Sequence, residues 1–181
     1  MSILEDLLRA YSFSAYKHQK QRRKGEGNIP YINHPINVAN TLAQTVGAKD
    51  IPLLIAAVLH DTLEDTKTTK DELLELFGDE VLSLVIEVTD DMTLSKSKRR
   101  MLQVEKAPGL SDKAKLIKIA DKKCNISDII NTRFYMTKKQ KIDYVRWAKD
   151  VIDQCMGINL KLDDEFIKTV QSAEMKLGTS F

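Results

Sequence analysis

The chain has 181 residues, 43% of them hydrophobic and 30% charged, with a formal net charge of +2. That length can enclose a hydrophobic core, the composition excludes a disordered chain, and the small net charge excludes the global field of a nucleic-acid binder. The two cysteines, Cys124 and Cys155, are too few for a disulfide framework and lack CxxC spacing, which points to a reducing compartment. No apolar run approaches the ~18 residues that a membrane span requires. The acidic, amphipathic start MSILEDLLRA is unlike a signal or transit peptide. The expectation is a cytoplasmic single domain over residues 1–181, with no membrane or nucleic-acid partner.

Helical periodicity recurs between sparse glycines and prolines. Ser2 with Glu5 predicts a capping box, and Ile3, Leu4, Leu7, Leu8 and Tyr11 give the stripe of a first helix. It runs toward a basic cluster, Lys17, Lys20, Arg22, Arg23 and Lys24, followed by a loop from Gly25 to Asn33. His34-Pro35 opens a second helix with the proline at its first position, and Gly47 ends it. Asp50 and Pro52 start a central helix through LLIAAVLHDTLEDT, residues 53–66. Thr69 and Glu72 form a second capping box, for a helix that Gly78 stops. Val81 to Val88, Lys96 to Glu105, Ser111 to Ile129, 137–156 and 163–177 supply further helices, the penultimate one carrying Trp147, Val151 and Ile152 on one stripe. No alternating strand pattern competes. The fold class is all-α, a bundle of about eight to ten helices.

Four ionisable residues emerge from the apolar run at 53–59: His60, Asp61, Glu64 and Asp65. On one continuous helix His60 would lie above Glu64 and Asp61 above Asp65. Buried carboxylates need compensation, and a cation supplies it. His34 sits at a helix start, and Asp121 follows a second apolar approach, KLIKIA. Each alone has a plainer reading: His34 as a loop residue or cap, Asp121 as the partner of Lys118 or Lys122. Together, two imidazoles and two carboxylates favour a divalent ion with open positions over a structural polar network.

His34, His60-Asp61 and Asp121 form the H…HD…D pattern of HD-domain metal-dependent phosphohydrolases, which this chain resembles. The strings RRKGEGNIPYINHPINVA (22–39), HDTLEDT (60–66), FGDEVLSLVIEVTDD (77–91) and KLIKIADKKCNISDI (115–129) look like the hydrolase domain of the RelA/SpoT alarmone enzymes. They are most similar to the stand-alone small alarmone hydrolases of the metazoan SpoT homologue type. The resemblance implies metal ligands at His34, His60, Asp61 and Asp121, with Mn²⁺ as the ion, and a Glu-Asp pair for proton chemistry at Glu64 and Asp65. It implies substrate contacts at Arg23, Lys24 and Asn125, with Tyr144 on the nucleoside side and Lys96 reaching a phosphate. Lys17, Lys20, Lys98, Arg99 and Arg100 are expected to be surface charge. The implied reaction removes the 3′-pyrophosphate of ppGpp or pppGpp, leaving GDP or GTP. No synthetase region accompanies the hydrolase motifs, so hydrolysis without alarmone synthesis is expected.

The pattern departs from the family at Ser127, where an arginine is usual, and this removes a charge expected near the substrate. Cys124, beside Asn125, reads as a small core residue. Three alternatives remain open from sequence: removal of the 2′-phosphate of NADPH at the same site, another HD-type nucleotidase acting on 5′-monophosphates, and alarmone binding without turnover. Oligomeric state is not legible.

Overall fold

The computed structural model describes residues 3–131 and 135–181. Among them are nine α-helices, one 3₁₀ turn and no strand. The helices are α1 (Ile3–Lys17), α2 (Asn33–Thr45), α3 (Ile51–Leu59), α4 (Thr62–Asp65), α5 (Lys70–Val88), α6 (Lys96–Lys106), α7 (Asp112–Asn131), α8 (Lys138–Ile152) and α9 (Leu160–Leu177). The all-α class expected from periodicity is the one observed. No described helix is long and apolar enough to cross a membrane.

Two helices form the axis of the bundle. Every residue of α3 from Leu53 to Leu59 is buried, because α1, α2 and α5 pack around it and α7 closes the remaining side. Helix α7 contacts α2, α3, α5, α8 and α9. It therefore buries Ile117, Ile119, Ala120 and Ile126, together with Lys118, Asp121 and Lys122. The core is thus threaded by charge along α7, and that charge faces the site.

Local chemistry sets the boundaries. The Leu53 N–H donates to Asp50 Oδ1 (3.1 Å), capping α3, and Pro52 occupies its second position, where no intrahelical donor is needed. Thr69 and Glu72 exchange hydrogen bonds as a capping box at the start of α5. Gly78, at φ +81°, breaks α5 into two runs; that left-handed conformation favours glycine. Helix α8 starts on its own capping box, Thr137 with Gln140, but ends at Ile152, short of the expected 156. Helix α9 starts earlier than expected because Asn159 caps it at Leu160. Helix α2 begins at Asn33, so Pro35 is its third residue rather than its first; the first-turn N–H groups lack intrahelical partners there too. Ser2 lies outside the described residues.

One departure matters for function. The run 53–66 is not one helix: α3 stops at Leu59 and α4 begins at Thr62. Side chains take the last carbonyls of α3, with His60 Nδ1 donating to Ala57 O (2.8 Å) and Thr62 Oγ1 to Leu59 O (2.7 Å). Such side-chain bonds compete with the helix ladder. His60-Asp61 becomes a turn rather than a helical pair.

Candidate metal centre and substrate cavity

Three separate elements bring the four expected ligands together. His34 comes from the first turn of α2, His60 and Asp61 from the α3–α4 turn, and Asp121 from the middle of α7. His34 Nε2 lies 3.0 Å from Asp121 Oδ1 and 3.7 Å from Asp61 Oδ2. His60 Nε2 lies 3.0 Å from Asp61 Oδ2 and 3.7 Å from Asp121 Oδ1. Candidate ligand atoms of His34, His60 and Asp121 all fall within 4.8 Å of one another.

The donor set fits a divalent cation. The Ala57 carbonyl can only accept, so His60 Nδ1 carries a proton and, in the neutral ring, Nε2 presents its lone pair to the cluster. That Nε2 is buried without a hydrogen-bond partner. Burial pushes the His34 imidazole below its ordinary value. Burial also opposes a charge on His60, yet Asp61 and Asp121 together lift it to about 10. Burial alone would raise both carboxylates, but His60 holds Asp61 below the usual range and Lys122 does the same for Asp121. A cluster that retains two carboxylates, Asp121 buried and Asp61 partly so, and attracts positive charge matches a mixed N/O site for a borderline-to-hard ion.

Glu64 and Asp65 lie one turn further on and diverge. Burial lifts the Glu64 carboxyl to about 7, although the Asp90 N–H donates to Glu64 Oε2 (3.1 Å) and opposes the shift. Asp65 Oδ2 instead accepts from Gln21 Nε2 (2.8 Å), and Gln21 Oε1 meets His18 Nδ1 at 2.6 Å. One carboxyl is enclosed and the other is exposed.

Both face a cavity of about 400 Å³, whose wall also includes His60, Asp61 and Asp121. The expected contacts Arg23, Lys24, Lys96, Asn125 and Tyr144 line it as well. His34 reaches the cluster from behind and lines a smaller neighbouring cavity. Arg23 is held in place: its Nε and Nη2 donate to Asp128 Oδ2 (3.1 and 2.7 Å), and Nη2 also donates to Asn125 Oδ1 (2.7 Å). Asn125 passes that contact on, its Nδ2 donating to Asp121 Oδ1 at 2.5 Å.

A profile of the HD domain family matches residues 10–143. This chain belongs to the HD-domain family. It is 47% identical over 159 residues to the human guanosine-3′,5′-bis(diphosphate) 3′-pyrophosphohydrolase MESH1, an alignment covering 87% of this chain and 89% of the relative. The Xenopus tropicalis protein of the same name is 45% identical over 166 residues, with 89% and 93% covered. A solved structure described as a metazoan ortholog of SpoT that hydrolyses ppGpp superposes with a TM-score of 0.89 at 38% identity, covering 92% of this chain and 94% of that one.

Several wall residues of this HD domain escaped sequence reasoning. Arg99 and Arg100, expected to be surface charge, line the cavity. Arg100 lies 4.7 Å from the Trp147 ring centroid, and Trp147 Nε1 donates to Arg100 O (3.0 Å). Trp147, read only as sharing a stripe with Val151 and Ile152, packs against the core and also walls the cavity three residues from Tyr144, with ring centroids 5.4 Å apart. Lys96 has its pKa pushed down, first by partial burial and then by Arg100, Lys24 and Arg99; cations that crowd together in this way favour an anionic occupant. Lys17, also expected to be surface charge, is instead partly buried, its Nζ pairing with Glu72 (2.7 Å) and lying 5.0 Å from the Phe13 ring centroid, away from the cavity. Ser127 does not line the cavity, and its hydroxyl accepts from Asn131 Nδ2 (3.1 Å).

Proposed function

We propose that this chain is a Mn²⁺-dependent guanosine-3′,5′-bis(diphosphate) 3′-pyrophosphohydrolase, a single HD-type domain over residues 1–181 that converts ppGpp or pppGpp into GDP or GTP and pyrophosphate. The observation that carries this reading is the convergence of His34, His60, Asp61 and Asp121 beside Glu64 on the wall of a cation-lined cavity. The names of the human and Xenopus relatives support the substrate. Two buried free thiols support a cytoplasmic setting.

His34, His60, Asp61 and Asp121 would hold the ion, which when bound supplies Lewis acidity to water and to a phosphoryl oxygen. Glu64, with its carboxyl near 7, accepts the proton of the attacking water, as suits a general base operating at neutral pH. Water oxygen joins the phosphorus next to O3′, the O3′–P bond breaks, and O3′ regains a proton. Asp65, steadied by Gln21, is placed to assist that proton transfer. Lys24, Lys96, Arg99 and Arg100 take the phosphate charge, and Tyr144 with Trp147 offers an aromatic wall to the nucleoside.

The test is turnover of the Mn²⁺-loaded protein on ppGpp and, in parallel, on NADPH, with pyrophosphate and orthophosphate read separately. Pyrophosphate with GDP is expected. Orthophosphate from NADPH alone would replace the substrate, and binding of ppGpp without turnover would replace the enzyme with a binding protein.

A further inference from the structure

Lys118 is an expensive residue for its position. It lies in the middle of α7, is 8% exposed, and is flanked by the fully buried Ile117 and Ile119. Burial pushes its pKa down, Lys122 adds to the effect, and Asp121, Asp90 and Glu64 oppose it. A methionine would pack there without the desolvation cost of an ammonium. Lys118 Nζ donates to Val88 O at 2.7 Å. Val88 is the last residue of α5, and two residues later the Asp90 N–H holds Glu64 Oε2. The opposite side of the same turn is fixed from α6, where Gln103 Nε2 donates to Asp90 Oδ2 (2.7 Å).

Beyond Val88 this turn is bordered by open space on two sides. Val88, Asp90, Gln103 and Lys118 line the substrate cavity and also a second cavity of about 530 Å³ between the end of α5 and α6. These side chains are shared by the walls of both spaces. Val88 itself is packed in the core, but the Asp90 side of the turn has open space next to it, and the hydrogen bonds from α6 and α7 hold it there.

We propose that Lys118 and Gln103 are positioning residues for Glu64, acting through the turn at 88–91. The proposal rests on Glu64 being the proton acceptor. If the turn slips into the second cavity, Glu64 loses its backbone donor and its direction, and misplacement of about 1 Å costs about 100-fold in rate. Neither side chain is among the proposed metal ligands or the cations assigned to the phosphates, so substrate and metal affinity should change little.

The experiment combines Lys118→Met and Gln103→Leu, each alone and with Glu64→Gln. kcat and KM for ppGpp are measured at high enzyme concentration so that residual turnover is visible, and Mn²⁺ affinity is read from the EPR signal of free Mn²⁺. Each single variant should lower kcat about 10- to 100-fold with KM and metal affinity within about threefold of the parent. Adding either change to Glu64→Gln should cost no more than about twofold further, because both act through that carboxyl. Losses that multiply with Glu64→Gln, loss of Mn²⁺ affinity in step with kcat, or unchanged kcat in Gln103→Leu would each overturn the proposal. If Lys118→Met gives no cooperative melt, Gln103→Leu on the partly exposed α6 decides alone. Wild-type kcat in Glu64→Gln is a separate result, which removes Glu64 from the chemistry and this proposal with it.

Discussion

The Tyr31 hydroxyl donates a 2.6 Å hydrogen bond to Asp61 Oδ2. Burial raises the Tyr31 pKa, and the carboxylate of Asp61 raises it further, so the phenol stays a donor. The ring is itself held, with the His18 centroid 4.9 Å away and the Arg23 guanidinium carbon 5.4 Å from its centre. Outer partners of this kind orient a metal ligand and set its basicity. Tyr31→Phe should weaken Mn²⁺ binding about 10- to 100-fold while leaving the fold intact, as read by isothermal titration and circular dichroism. An unchanged dissociation constant would remove Tyr31 from the metal centre.

If Glu64 is the general base proposed above, it should set the acid limb of the pH profile. Its carboxyl sits near 7 against an ordinary 4.5, and the base form is the ionised one, so turnover should rise with pH toward that value and then level. A bound cation favours the carboxylate and would move the midpoint to about 7 or lower. For stability the sign runs the other way. The folded state holds the Glu64 proton more tightly, so this group's contribution is full below about 4.5 and is lost as pH rises through about 7. Glu64→Gln should abolish the limb in kcat. A limb that persists unchanged in that variant would assign it to another group.

Arg100 should govern substrate capture. It lines the cavity and packs over Trp147, with the Tyr144 ring also 5.7 Å from its guanidinium carbon. Arg100→Ala removes a charged hydrogen-bond donor, worth about 1.5–3 kcal/mol, and should raise KM about 10- to 100-fold. A drop in kcat at constant KM would instead place Arg100 in the chemistry.

The convergence of His34, His60, Asp61 and Asp121 beside Glu64 and Asp65 was legible because four ionisable residues emerge from an apolar run and two more residues complete a specific pattern. Part of the helix inventory was legible from caps: Asp50 and Thr69 accept the backbone N–H groups expected of them, whereas the caps at Ser95 and Thr137 emerge only from the structure. The break after Leu59 was not, because it depends on His60 and Thr62 turning back onto α3 carbonyls, and that competition leaves no mark in periodicity. Arg99, Arg100 and Trp147 were missed because charge on an amphipathic helix reads as solvent-facing until the helix is placed against α8. Tyr31 sits within a quoted string, yet its role depends on a contact thirty residues away along the chain.

Metal binding should be visible in stability as well as in activity. The cluster holds Asp61 and the buried Asp121 against two imidazoles, and an ion that binds this folded arrangement but not the unfolded chain stabilises it by mass action. At Mn²⁺ about 100-fold above its dissociation constant the gain is about 2.7 kcal/mol, which for a chain of this length corresponds to a Tm shift of about 5–10 °C. Chelation with EDTA should reverse the shift. Asp121→Asn keeps the shape of the side chain and its capacity to accept from Asn125, but removes the charge that Lys122 pairs with at 2.8 Å. It should lose most of the Mn²⁺-dependent increment, and turnover with it, while Lys118→Met, outside the ligand set, keeps the increment. A Tm that does not respond to Mn²⁺ in the parent protein would count against a divalent ion at this cluster, whatever the activity assay showed.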